Sequence, residues 1–158
     1  MTRGNLFSEL TYASELEVRI RKVRLAENEE GYFSKCLRSP EDTYNLFKAF
    51  FDKSPVELFL VLHLKTNTRL SAFEIVSKGI LNQTLVHPRE VFKSAILRNA
   101  ASIIIAHNHP SGNSEPSKED IAITKQVADA GKIIGIPLVD HIIFTSEKYY
   151  SFAEHGHL

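Results

Sequence analysis

Three side chains able to hold a metal ion, His107, His109 and Asp120, lie close together in the stretch IIIAHNHPSGNSEPSKEDI. In extended backbone, residues i and i+2 point to the same side, so the two imidazoles can converge on one point. Asp120 follows Ser117 by three residues, in the first turn of an expected helix, where its carboxylate can swing back toward the preceding loop. Two imidazoles and a carboxylate suit a catalytic zinc ion that keeps its fourth position for water. The same donors hold other divalent metals, so zinc is a preference. Ser117-x-x-Asp120 is also close to a helix capping box, which explains both residues structurally. The two readings are compatible, because Ser117 can shape the helix start while Asp120 binds an ion. The contiguous letters His107-Asn108-His109 do not make the nuclease motif of that name, whose three residues are dispersed over a long segment.

Hydrolysis at such a site needs a base for the water. Glu90 falls in the first turn of a helix, where the dipole alone favours a carboxylate. Glu57 opens a strand and reads as exposed. Glu74 differs: it shares a strand face with Ala72 and Val76, while Phe73 and Ile75 make the other face apolar. Its carboxylate is expected to be desolvated, which is costly without a partner. The plainer alternative, a strand-end Glu reaching solvent, stays open. His63 reads as a core histidine, His87 as part of a helix entry, and Asp140-His141 as a satisfied core or strand-edge couple rather than a pair that orients a metal ligand. His155-x-His157 reads as a frayed tail.

The elements that must position these groups alternate between strand and helix. ELEVRIRKVRL (15–25) alternates as a half-exposed strand. Ser39 caps a helix begun by Pro40, with Glu41 and Asp42 at its positive end. ELFLVLHL is a strand buried on both faces, and KTNT turns it into the returning strand RLSAFEIVSKG. A second helix starts near Pro88, with Val91, Phe92, Ala95 and Ile96 as its apolar stripe. ASIIIA is a short buried strand, HNHPSGNSEP a loop, and SKEDIAITKQVADAG a third helix stopped by Gly131. IPLVDHIIFTSEKYYSFA closes the chain as two strands. The pattern is α/β, a mixed sheet covered by helices.

Composition narrows the classes. Lys+Arg and Asp+Glu both number 19, so the net charge is zero and gives no global footprint for nucleic acid. The run Arg19, Arg21, Lys22, Arg24 is the one local feature suited to phosphate, and it lacks interleaved aromatics. A single cysteine, Cys36, excludes an internal disulfide and any thiolate-rich zinc site. No apolar run matches a membrane span or signal peptide, so a cytoplasmic location is expected. The oligomeric state is left open.

Glu74, His107-x-His109-Pro110 and Ser117-x-x-Asp120 together resemble the JAMM motif of MPN-domain metallopeptidases. The wording SPED, GILNQTLVHPREVFKSAI, AHNHPSGNSEPSKEDI and GIPLVDHIIF resembles the bacterial RadC family, from Ser39 to the C-terminus. The resemblance implies a three-layer, cytidine-deaminase-like domain over 39–158, preceded by an extension over 1–38. It implies that His107, His109 and Asp120 ligate one zinc ion. Glu74 would be the general acid/base, and Ser117 would steady the oxyanion. The implied reaction is attack of metal-activated water on a peptide or isopeptide carbonyl in an unidentified peptide or protein conjugate. Longer RadC proteins carry an N-terminal helix-hairpin-helix region associated with DNA, and the 38 residues preceding the match point to a short form without it. Asn108 stands where eukaryotic relatives more often have Ser, Thr or Gly. Two rivals remain: a metal-dependent nuclease or DNA-associated repair factor, and a non-catalytic interaction module.

Overall fold

A computed structural model describes residues 35–79 and 86–158. The expected strand over 15–25 and the basic run within it lie outside the described residues. Helix α1 (Pro40–Phe51) starts as expected. The Ser39 hydroxyl accepts from the Asp42 amide at 3.1 Å, and the Asp42 carboxylate accepts in return from the Ser39 amide at 3.0 Å. Strands β1 (Leu58–Leu64) and β2 (Leu70–Lys78) form the expected antiparallel hairpin. Helix α2 (Pro88–Leu97) leads to β3 (Ser102–Asn108). Helix α3 (Lys118–Ile134) then crosses over to β4 (Leu138–Phe144), and β5 (Tyr149–Ser151) pairs back on it.

The sheet order is β2-β1-β3-β4-β5, with only the β3–β4 pair parallel. Period-two alternation sends the two faces of each strand into different cores. Leu60, Leu62, Ile104, Ile142 and Phe144 pack with Phe47 and Phe51 of α1. Phe59, Val61, Ile103 and Ile105 pack with Val91 and Phe92 of α2 and with Ile123 and Val127 of α3. The result is three layers: α1, a five-stranded mixed sheet, then α2 and α3.

Two local expectations need correction. Gly131 does not end α3, which runs to Ile134 and stops at Gly135 in the left-handed conformation. Gly131 is there for packing, since a Cβ on it would meet the Ile136 carbonyl at 2.6 Å. Ile96 is not core: it is 53% exposed, on the solvent side of the last turn of α2. No helix among the described residues is long and apolar enough to cross a membrane.

Candidate metal centre

The carboxyl end of β3, flanked by the start of α3, gathers the candidate ligands. Strand β3 continues through His107, which is paired across to Phe59 on β1 and Ile143 on β4. His107 is therefore fully buried, on the face covered by α2 and α3. His109 follows just beyond the strand and is held by its ring. Its Nδ1 lies 2.7 Å from the Asn113 carbonyl, which can only accept, so this nitrogen carries the proton and Nε2 is turned to the site. His107 Nε2 is 2.9 Å from His109 Nε2 and 3.1 Å from Asp120 Oδ1.

The capping bonds of Asp120 fall on one carboxylate oxygen, and the other faces His107. Oδ2 accepts from the Ser117 amide at 2.7 Å and from the Ser117 hydroxyl at 2.6 Å, while the Ser117 hydroxyl accepts from the Asp120 amide at 3.1 Å. That is a complete capping box at the head of α3. Oδ1 faces His107. Four of the five site residues expected from the sequence, His107, His109, Ser117 and Asp120, are thus brought together.

Electrostatics agree with a cation site. Burial opposes the charge of Asp120, but the close approach of the His107 and His109 rings, the charge felt from His107 and the Ser117 hydroxyl outweigh it and hold the carboxyl far below its usual range. Burial dominates at His107 and lowers its pKa despite Asp120. At His109 burial also works against protonation, yet hydrogen bonding to Asp120 and Asn113, with nearby negative charge, raises it. In all, three ligand atoms from His107, His109 and Asp120 lie within 4.8 Å of one another. Two neutral-capable imidazoles and an ionised carboxylate at this spacing fit a divalent ion.

Of the acids, Glu74 lies as expected and Glu57 does not. Glu74 does lie on the α2–α3 face of β2, opposite Val61, and its Oε2 is buried with no hydrogen-bond partner. Its charge acts on Lys93 of α2. Glu57, expected to be exposed, is half-buried just before β1, and its charge acts on both His107 and His109. The Asn108 side chain brackets it: Oδ1 accepts from the Leu58 amide at 2.8 Å, and Nδ2 donates to the Val56 carbonyl at 3.2 Å.

His141 is the residue that sequence reasoning misses. It is fully buried, and its Nε2 lies 2.8 Å from Nδ1 of His107. It is stacked on Phe152, with centroids 4.7 Å apart. Asp140, on the opposite face of β4, is the structural half of the pair: its carboxylate accepts from the His141 and Ala153 amides and the Ser151 hydroxyl. His155 and His157 stand apart from the centre, in a turn where the His155 ring stacks on Tyr150.

A partly open cavity of about 400 Å³ adjoins the centre. His109 and Asn108 form one wall, with Phe51, Pro55, Pro110 and Phe144 around it.

The sequence that builds this strand, loop and helix has known relatives. The profile of the RadC-like JAB domain family matches residues 37–157. The chain belongs to the RadC family. A UPF0758 protein of Methanosarcina mazei is 43% identical over 120 residues, covering 76% of this chain and 52% of that protein. The UPF0758 protein YsxA of Bacillus subtilis is 42% identical over 150 residues, covering 95% of this chain and 62% of that protein. The chain thus spans between half and two-thirds of the length of these RadC relatives. Membership in a JAB-domain family and the ligand cluster together indicate a module able to hold a metal ion.

Proposed function

We propose that the domain is a zinc-dependent hydrolase that cleaves an amide bond, peptide or isopeptide, in an extended substrate lying along the cavity beside His109. The observation that carries this reading is the convergence of His107 Nε2, His109 Nε2 and Asp120 Oδ1, with Asp120 strongly favoured as the ionised form. A zinc ion there would polarise a carbonyl and make a water nucleophilic at neutral pH. The chain's own groups supply the rest. Asp120 keeps its negative charge chiefly through His107 and His109, while Ser117 ties down Oδ2 and leaves Oδ1 facing His107. Glu57 is one candidate proton acceptor, half-buried just before β1, with its charge felt at both imidazoles and Asn108 bonded to the backbone on either side of it. Glu74, the residue implied by the motif resemblance, is the alternative base. Ser117 can offer its hydroxyl to a developing oxyanion only by turning it away from Asp120 Oδ2.

The first test is elemental analysis of the purified chain beside Asp120→Ala. One zinc per chain, absent from the variant, is expected. A wild-type protein that takes up no zinc on reconstitution overturns the reading and favours an interaction module. A mass-spectrometric peptide-library screen then compares Glu57→Gln with Glu74→Gln. Glu57→Gln should keep zinc and lose cleavage. If Glu74→Gln alone loses it, the base is Glu74.

A further inference from the structure

The buried hydrogen bonds behind the centre have a fixed direction. They begin at the backbone of Asp120. The Thr124 hydroxyl lies 2.5 Å from the Asp120 carbonyl, one helical turn back, and 2.6 Å from His141 Nδ1. A carbonyl oxygen has no proton to give, so the single hydroxyl proton of Thr124 points at it. The Thr124 oxygen is then an acceptor toward His141, and His141 Nδ1 must be the N–H. The His141 ring is fully buried, with no carboxylate bonded to it, which favours one ring proton. With its proton on Nδ1, His141 presents a bare Nε2 to His107 at 2.8 Å. His107 Nδ1 must therefore carry a proton, which makes Nε2 the ring atom turned to His109 and Asp120.

We infer that Thr124 and His141 are positioning residues, a buried relay that locks His107 in the Nδ1–H tautomer so that Nε2 is always the ligand atom. The relay closes on one residue: the carboxylate of Asp120 is a ligand, and its backbone carbonyl sets the proton position on another ligand. Thr124 is 1% exposed and His141 fully buried, so no bulk water competes for these bonds. The Phe152 ring stacked on His141 holds its plane. Partners of this kind behind a metal-binding histidine fix its tautomer and orientation. The inference rests on the metal-site reading for its purpose, but the proton order is a property of the metal-free chain.

The test uses Thr124→Val, which keeps the shape and removes the hydroxyl, and Thr124→Ser, which keeps the hydroxyl. Two-bond proton–nitrogen correlations on ¹⁵N-histidine-labelled, metal-free protein read the tautomer of each ring. Wild type and Thr124→Ser should have His107 and His141 both protonated at Nδ1. In Thr124→Val, His141 loses its acceptor, and the Nε2–H form of both rings should become populated. Zinc titration against a competing chelator should weaken about 10- to 100-fold in Thr124→Val and recover in Thr124→Ser. A wild-type His107 without a proton on Nδ1 overturns the inference, as does a Thr124→Val protein with unchanged tautomers and zinc affinity. If the wild type binds no zinc but has the expected tautomers, the relay stands and the metal reading fails.

Discussion

One face of the sheet carries a buried histidine near each end of β1, and the two are wired differently. His107 lies across from Phe59, at the start of β1. Its Nδ1 meets His141, and its Nε2 converges with His109 and an ionised carboxylate. His63, near the far end of the same strand, meets Ser94 Oγ through Nε2 at 3.0 Å, and its Nδ1 has no partner. Both rings are almost wholly buried, so burial does not separate a ligand from a core residue. The difference lies in what faces the second nitrogen. Near His63 the charge that is felt is Arg98, of the wrong sign for a cation site. The two ends should therefore answer to different solution variables, zinc at one and pH at the other.

The largest expected contrast is zinc. An ion bound only by the folded state, at a thousand times its Kd, stabilises by about 4 kcal/mol. Thermal melts with and without zinc should show an upward shift in wild type and in His63→Gln, and none in Asp120→Ala. Loss of the shift in His63→Gln would mean that the ends are not independent.

Acid gives the next contrast. Burial, helped by Arg98, lowers the His63 pKa from 6.5 to about 4 in the folded protein. The unfolded chain then binds the proton more readily, so stability is full above pH 6.5 and falls as pH drops toward 4. The loss through this one group approaches roughly 3 kcal/mol. Urea denaturation of the metal-free protein at pH 7.5 and 4.5 should show His63→Gln losing less stability than wild type on acidification. Equal losses would move the acid sensitivity to His107 and His141, which burial also holds low.

The contrast between the two ends also separates what is legible in the sequence from what is not. The candidate ligands are legible because their spacing is local: His107 and His109 are two apart, and Ser117 and Asp120 sit at capping distance. The layers are legible from the strand–helix alternation and the Ser39 cap. What stays hidden depends on pairing between distant segments. His141 reaches His107 only because β3 and β4 run parallel with Ile105 beside His141. The charge of Glu57 is felt at the centre because Phe59, two residues on, lies across from His107, a register no local pattern encodes. Gly131 misleads for a related reason. A glycine near a helix end ordinarily marks a stop, but this one makes room for the Ile136 carbonyl and for Phe92 of α2.

The smallest expected effect tests the comparison most finely. Ser94 and Thr124 are both buried hydroxyls on helices of the same layer, each touching a buried histidine. Removing the Ser94 hydroxyl leaves His63 without its one hydrogen bond, which costs about 1–2 kcal/mol for a buried group. Nothing at the metal centre depends on that bond, because His63 lies across from Ile103, at the end of β3 away from His107. Ser94→Ala should therefore lower the urea midpoint modestly and leave zinc affinity unchanged. Thr124→Val should reverse the emphasis, weakening zinc more than it weakens the fold. If Ser94→Ala also weakened zinc, the strain would have travelled along β1 or through α2 into the centre. Hydroxyls at both ends would then be supports of one rigid face, and the separation into an ion-responsive end and an acid-responsive end would fail.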